Sequence, residues 1–277
     1  MTSQMKDSQS FPDLSELSLV HNGHLKKLKH AIQSDSSLNS YRFPDSFLLT
    51  FILCKEGNID KAHRRLRLYV KKVRENLNLF GKNIDPKQSA FESRFLQVFR
   101  EPTINGKSIF LFKAGFWNPK ETSVDECILT LAYLQAALVR SQVKGAHLIT
   151  DASNLSCYHF YSVGPKKLRT VAEIVTNMLP LRIEKIHLIN VNRVLILAFR
   201  AIQPFLGKKI RSRVAFHGDN LVDDLSECCS PAAVALSFND PPDTCMMSIQ
   251  ELMELSANGR DMLVKVWQQI VKKNSLH

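Results

Sequence analysis

The chain has 277 residues, of which 44% are apolar and 23% are charged, and its formal net charge is +11. This composition suits one large or two small globular domains, and it excludes a disordered or collagen-like chain. The longest central run without a charge, a proline or a glycine, 127–139, has 13 residues, whereas a membrane-spanning helix needs ~20. The first 30 residues lack the apolar run of a signal peptide. We therefore expect a cytoplasmic protein with no membrane-spanning helix.

The six cysteines have neither disulfide nor metal-site spacing. No Cys-x-x-Cys occurs, and the adjacent pair Cys228 and Cys229 has poor geometry for a mutual bridge. We predict that all six are reduced and behave as small hydrophobic side chains. The sequence thus predicts no metal site.

Positive charge is concentrated in residues 31–90 and 181–220; the second segment has eight basic and two acidic residues. A basic surface attracts nucleic acid and anionic lipid by the same Coulomb force, so charge alone does not choose between them. The basic helix predicted over 60–79 offers only Tyr69 as a platform on which a base could stack. We therefore predict that the protein does not bind nucleic acid.

The first part of the chain predicts a polar segment, 1–30, followed by a small helical module, 31–86. An apolar helix follows Pro44 and stops at Gly57, a residue type that ends helices. Asp60 is the expected cap of the next helix. Its apolar residues recur at helical spacing, and these are Ala62, Leu66, Tyr69, Val70, Val73 and Leu77.

From residue 87 the pattern changes to strands alternating with helices. The predicted strands lie at 109–112, 146–150, 186–190 and 214–217, and the predicted helices begin at Ser123, Pro165 and Val194. This alternation is typical of an α/β domain with a mainly parallel sheet, which we place at 87–236. A C-terminal helical tail, 237–277, begins with the capping-box spacing of Ser248 and Glu251.

The sequence motifs of common enzymes are missing. There is no Gly-x-Gly-x-x-Gly, no phosphate-binding loop, no Gly-x-Ser-x-Gly and no zinc-protease motif. His147, His159, His187 and His217 lie at or beside predicted strands, where a structural hydrogen bond is the expected role. Asp151, at the end of a strand, is expected to anchor a loop, with catalysis as the less favoured alternative. We predict that the protein is not an enzyme and has no cofactor.

Residues 179–220 resemble the signature of CRAL-TRIO lipid-binding domains, in the branch of alpha-tocopherol transfer protein and cellular retinaldehyde-binding protein. The resemblance rests on Pro180-Leu181-Arg182, Ile-His-Leu-Ile-Asn, Pro204-Phe205-Leu206, Lys209, Arg213 and His217-Gly218. Weaker similarity extends over about residues 40 to 230. It implies an N-terminal helical module joined to an α/β domain that encloses a hydrophobic cavity.

By the same resemblance, a set of apolar residues lines the ligand cavity: Ile128, Leu129, Thr150, Leu155, Val163, Val171, Ile174, Val175, Leu181, Ile183 and Ile186. The helix over 194–206 is apolar almost all round, which by itself is typical of a core helix. In the family this helix is a lid that opens at a membrane. Leu195, Phe199 and Ile202 would then form the lid, with Phe199 and Ile202 facing the ligand.

The resemblance also implies a phosphoinositide site formed by Arg182, Lys209 and Arg213. Lys209 and Arg213, four residues apart, are expected to share one helical face and to donate to phosphate oxygens. The chain departs from the family at Leu53, where an arginine is usual, and at Asn192, where a proline is usual. It also departs at 230–236, where a Gly-Gly is replaced.

The sequence therefore predicts a monomeric intracellular carrier of one hydrophobic molecule, such as a tocopherol, retinoid, carotenoid or phospholipid. It would exchange this ligand transiently at endosomal or other anionic membranes that contain phosphoinositide. The alternative is a CRAL-TRIO scaffold without ligand that acts as a protein-interaction or membrane-recruitment module.

Overall fold

The computed structural model describes residues 19–82, 85, 91–140, 145–174, 180–218, 221–226 and 243–274, without the side chains of residues 139, 140 and 221. Several predicted features lie outside these residues. They are Val175, the Cys228–Cys229 pair, the altered segment 230–236 and both predicted domain borders near residues 86 and 236. No described helix is both long enough and apolar enough to cross a membrane.

The N-terminal part is helical, as the periodicity predicts. Its helices are α1 (Asn22–Gln33), α2 (Asp45–Cys54), α3 (Ile59–Glu75) and α4 (Leu77–Phe80). Helix α2 ends just before Gly57, whose φ of +78° is costly for any other residue type. The prediction that Asp60 caps α3 is wrong. Asn58 caps this helix by accepting a hydrogen bond from the Lys61 N–H at 3.0 Å, and Asp60 lies in the first turn.

The long C-terminal helix packs back against the N-terminal helices. This helix, Ile249–Asn274, begins at the predicted capping box: Ser248 N–H donates to the Glu251 carboxylate at 2.7 Å, and Glu251 N–H to Ser248 Oγ at 3.2 Å. Gly259 permits a close approach to helix Val124–Arg140 of the α/β part, because a Cβ there would lie 1.9 Å from the Tyr133 carbonyl oxygen. The tail therefore completes the core of the helical module.

A five-stranded sheet forms the centre of the α/β part. Its strands are β1 (Leu96–Val98), β2 (Ser108–Lys113), β3 (Ala146–Asp151), β4 (Ile183–Ile189) and β5 (Val214–Phe216). They lie in chain order, with β1 antiparallel and the other four parallel. The predicted α/β class is thus confirmed. Sequence reasoning missed β1, since three residues are too few for a recognisable alternation.

The helices that follow the strands are α5 (Val124–Arg140), α6 (Cys157–Glu173), α7 (Arg193–Ile202), α8 (Lys208–Arg211) and α9 (Leu221–Ser226); the C-terminal helix is α10. Crossovers between parallel strands almost always have the same, right-handed sense. Because each crossover here leads to the next strand in chain order, the crossover helices lie on one face of the sheet. Accordingly Phe110 and Leu148 of that face pack with Leu131 and Leu134 of α5.

Helix α6 is longer than the sequence predicted and is broken in the middle. Gly164, with φ +70° and ψ 155°, interrupts it immediately before Pro165, so the predicted start at Pro165 is the start of its second half. Helix α8 is shorter than expected, because it ends at Arg211. The prediction that Lys209 and Arg213 share one helical face is therefore wrong: Arg213 lies beyond the helix.

Candidate functional site

An apolar cavity of about 280 Å³ lies between the sheet and helices α5, α6 and α7. Helix α5 contributes residues spaced i, i+3, i+4 and i+7, which share one helical face. The described wall consists of Phe95, Phe112, Ala114, Trp117, Val124, Cys127, Ile128, Leu131, Leu155, His159, Phe160, Val163, Leu168, Val171, Val194, Leu195 and Ala198. Such a wall suits a ligand with little polarity.

Polar anchors at the rim fix the apolar wall. Trp117 is held by a hydrogen bond from its Nε1 to the Thr122 carbonyl at 2.8 Å. Helix α5 begins at a capping box in which Ser123 N–H donates to Glu126 Oε2 at 2.7 Å and Glu126 N–H donates to Ser123 Oγ at 3.3 Å. Burial, with the charges of Glu126 and Asp125, raises the pKa of Cys127 to about 12, so this thiol stays neutral.

Helix α7 forms one side of the cavity, and Asn192 fixes its first turn. The Asn192 side chain caps the helix by accepting from Leu195 N–H at 2.9 Å, and it donates to the carbonyls of Ala152 and Leu155, each at 2.9 Å. Val194, Leu195 and Ala198 line the cavity, whereas Ile196 and Leu197 are exposed. The helix is thus firmly attached at its start and apolar on both faces.

The structure brings five of the predicted cavity and lid residues to the cavity wall: Ile128, Leu155, Val163, Val171 and Leu195. Leu129 and Ile174 belong instead to the core shared with the helical module. Leu181, Ile183 and Ile186 pack in the cluster between the sheet and α5, and Thr150 is half-buried on β3 beside Phe112.

The two remaining lid residues lie toward the end of α7. Phe199 packs edge-on against Phe216 of β5, with ring centroids 5.2 Å apart, and Ile202 is half-buried in the last turn. Neither side chain is part of the described wall, which α7 forms with Val194, Leu195 and Ala198. The i, i+4 spacing of Val194 and Ala198 is the signal that could have identified this face in the sequence.

Other wall residues were also missed by sequence reasoning. Phe95 precedes the short strand β1, and Trp117 and Phe160 lie in or beside loops and breaks, where no periodicity marks a buried position. Phe112 was assigned to a strand, but the sequence does not reveal which side of that strand faces the cavity.

The three predicted phosphate ligands have different surroundings. Arg182 forms ion pairs with Glu56 and with Glu184, the latter at 2.7 Å. Arg213 donates to the Ile183 carbonyl, so it ties the start of β5 to β4. Lys209 is exposed on α8, together with Lys208 and Arg211.

Two cations near Lys209 were not assigned from the sequence. Burial lowers the pKa of Lys55, and the charges of Arg65 and Lys209 lower it further. Three positive charges therefore converge at the junction of the helical module and the α/β part. An anion bound at this junction would relieve their mutual repulsion, as at an anion-binding surface.

On the opposite face of the sheet three histidines form a hydrogen-bonded row. His147 Nδ1 lies 3.1 Å from His187 Nε2, His187 Nδ1 lies 2.9 Å from His217 Nε2, and His217 Nδ1 lies 2.8 Å from Asp224 Oδ2. Burial, together with the flanking histidines, lowers the pKa of His187 to about 3. The hydrogen bonds predicted for these three residues are thus present.

Asp151 anchors the loop after β3, as predicted. Its Oδ1 accepts from Ser153 N–H at 2.8 Å and from Asn190 Nδ2 at 2.9 Å. These bonds join the ends of β3 and β4 beside the start of α7.

Together these features define an α/β protein in which an apolar cavity beside the sheet is bordered by α7 and the α/β part is joined to a helical module. The family model described as CRAL/TRIO domain matches residues 92–238, more than half of the chain. The protein therefore belongs to the CRAL/TRIO family, which confirms the resemblance found in the sequence.

Individual relatives are more distant. Clavesin-1 of Xenopus laevis is 27% identical over 221 residues, which cover 77% of this chain and 66% of the clavesin. Alpha-tocopherol transfer protein-like of Homo sapiens is 26% identical over 202 residues, covering 71% of this chain and 59% of the relative. The chain thus matches about two thirds or less of the length of these relatives. A solved structure titled "Crystal structure of Sfh5" aligns with a TM-score of 0.44 and 13% identity over 76% of this chain and 81% of that one.

Proposed function

We propose that the protein is a carrier, not an enzyme, which holds one hydrophobic molecule in the cavity beside α7 and exchanges it at anionic membranes. The observation that carries this proposal is the apolar wall formed jointly by α5, α6 and α7. The family membership and the name of the tocopherol transfer protein-like relative support it. The ligand classes in question are tocopherols, retinoids, carotenoids and phospholipids.

Mass spectrometry of the organic extract of natively purified protein tests the carrier proposal. We expect about one lipid per chain. The matched control is Ala198→Phe, which places a phenyl ring of α7 inside the cavity. This variant should yield protein without lipid. An empty extract from the wild type, or equal lipid in both proteins, would contradict the proposal.

Helix α7 is proposed as the lid. Replacing Phe199 and Ile202 by Asp should abolish lipid retention, because it removes the contact of Phe199 with Phe216 that holds the end of α7 against the sheet. The variant should still fold, because both side chains are only half-buried. The control is the double Asp variant of Ile196 and Leu197, exposed residues of the same helix that should leave retention in solution unchanged. Unfolding of the first variant would instead make the end of α7 an ordinary part of the core.

Membrane exchange is proposed to use Arg182, Lys209 and Arg213, with Lys55 and Arg65 beside them. Basic residues near an anionic surface contribute about 1 kcal/mol each, so a triple Ala variant of the first three should bind phosphoinositide-containing vesicles roughly a hundredfold more weakly at low salt. Lys209→Ala is the cleaner single change, because Arg182 and Arg213 also make internal contacts. Its expected loss is about fivefold.

A control variant that loses three positive charges elsewhere distinguishes a local phosphoinositide site from general attraction of the basic protein to the anionic vesicle. Arg64, Arg67 and Lys71 line a separate groove of about 540 Å³ on the helical module, so their triple Ala variant is the control. We expect it to retain most vesicle binding. Equal losses in both triple variants would eliminate the local site and leave only the overall positive charge. A cytoplasmic monomer that visits endosomal membranes fits this mode of action.

The alternative function, a scaffold without ligand, is favoured by one observation. The cavity volume of about 280 Å³ lies just below the roughly 300–1,000 Å³ of small-molecule sites. An empty extract combined with unchanged vesicle binding by the Ala198→Phe variant would support this scaffold.

A further inference from the structure

His159 supplies the strongest hydrogen-bonding group on the described cavity wall. Its ring lies beside Trp117, with ring centroids 6.4 Å apart. The Trp117 N–H is already bonded to the Thr122 carbonyl, and the Cys127 thiol is a weak donor. The remaining described wall residues have hydrocarbon side chains. Among the described wall residues, His159 is therefore the side chain best suited to bind a polar group of the ligand.

The capping box at the start of α6 fixes the tautomer of His159. Ser156 N–H donates to His159 Nδ1 at 3.1 Å, and Ser156 Oγ lies 2.9 Å from the same nitrogen. A ring nitrogen that accepts a backbone N–H carries no proton, so the hydrogen of the neutral imidazole is on Nε2. Within the described part of the chain, Nε2 has no hydrogen-bond partner.

We propose that His159 Nε2–H is the donor that recognises the polar end of the ligand, and that the ligand is an apolar molecule with an uncharged acceptor oxygen. Aldehydes, ketones, esters and ethers have this chemistry. The proposal rests on the carrier function above and narrows its ligand class.

The surroundings of His159 exclude a charged ligand head inside the cavity. No described wall residue is a lysine or an arginine, so a buried carboxylate would lack a counter-ion, which is strongly unfavourable. Nδ1 of His159 already accepts the Ser156 N–H, so the ring offers the ligand one donor, Nε2–H. The site therefore favours an acceptor that needs one neutral donor.

Two small probes that differ by one oxygen test the proposal: decane and 2-decanone, with binding measured by depletion of each compound from the headspace over the protein. Wild type and His159→Phe are compared for each probe, so that the intrinsic hydrophobicity of the probe cancels. A neutral hydrogen bond is worth about threefold to tenfold in affinity. We expect the variant to lose this factor for 2-decanone and to bind decane unchanged.

Further arms keep the result interpretable. Decanoate, measured by equilibrium dialysis, should bind no better to wild type than to His159→Phe. In wild-type protein the ¹⁵N spectrum should show a protonated Nε2 whose proton resonance moves downfield with 2-decanone and not with decane.

The outcomes separate the two proposals. If neither decane nor 2-decanone binds the wild type, the carrier function fails. If both bind and His159→Phe changes both affinities equally or not at all, the role of His159 is overturned while the carrier function stands. A protonated Nδ1, or an Nε2 proton that is insensitive to the ketone, overturns it in wild-type protein even when the variant does not fold.

Discussion

The helical module and the cavity region bury the same kinds of side chain but pack them differently. In the module, the rings of Phe47, Phe51 and Tyr69 interlock at centroid distances of 5.0–5.5 Å, and the Trp267 N–H donates to the Tyr69 hydroxyl at 2.6 Å. Beside the sheet, an equally apolar set leaves an open volume of about 280 Å³.

Backbone anchoring explains this difference better than composition does. The helices of the module approach until their side chains touch, as the interlocked rings of Phe47, Phe51 and Tyr69 show. Around the cavity, Asn192 fixes the start of α7, and the break at Gly164 redirects α6 in mid-course. Because these anchors hold the helices at a set distance from the sheet, the side chains between them do not close the gap.

Truncating the packed core should have the largest effect on stability. Trp267→Ala is expected to lower the free energy of unfolding by about 3–5 kcal/mol, because it creates a cavity and leaves the buried Tyr69 hydroxyl without its donor. Phe160→Ala, on the cavity wall, should cost less than half as much, since Phe160 is half-buried and already borders open space. Urea denaturation measures both values, and equal losses would refute the proposed contrast in packing.

The same enlargement in the two regions sharpens the comparison. Ala62→Phe in the module should cost about 1–3 kcal/mol, because Ala62 is fully buried among close-packed neighbours. Ala198→Phe should cost less than 1 kcal/mol, because the new ring enters the existing cavity. Thermal unfolding of the lipid-free proteins provides the measurement. A greater loss for Ala198→Phe would mean that the cavity collapses in solution.

Acidification should act on the face of the sheet opposite the cavity. Burial holds the pKa of His187 at about 3 in the folded state, below its ordinary value of 6.5. Between these two pH values His187 binds a proton only in the unfolded chain. Stability is thus complete above pH 6.5 and falls on acidification by up to about 1.4 kcal/mol per pH unit. Burial also lowers the pKa of His147, which adds to this slope.

Denaturation midpoints between pH 6.5 and 5, above the range in which carboxylates titrate, isolate the histidine contribution. His187→Gln should give a flatter profile than the wild type. Identical slopes for the two proteins would show that the histidine row does not control the pH dependence.

Sequence periodicity determined the helical module, the order of strands and helices, and the mainly parallel sheet, because these features depend on local spacing of apolar residues. The motif around residues 179–220 identified the CRAL/TRIO family. Five predicted cavity and lid residues, including Ile128 and Leu195, reach the cavity wall. Local spacing predicted their helices, but it did not distinguish them from Leu129 and Ile174, which face the module.

Tertiary structure decided the rest, because it depends on contacts between residues distant in the chain. The packing of α10 into the N-terminal core joins Trp267 to Tyr69 across 198 positions, and no local pattern encodes that contact. The histidine row forms only when β3, β4 and β5 align. The role proposed for His159 likewise depends on the fold, since the Ser156 cap leaves Nε2 as the donor and the packing of α6 brings its ring to the cavity.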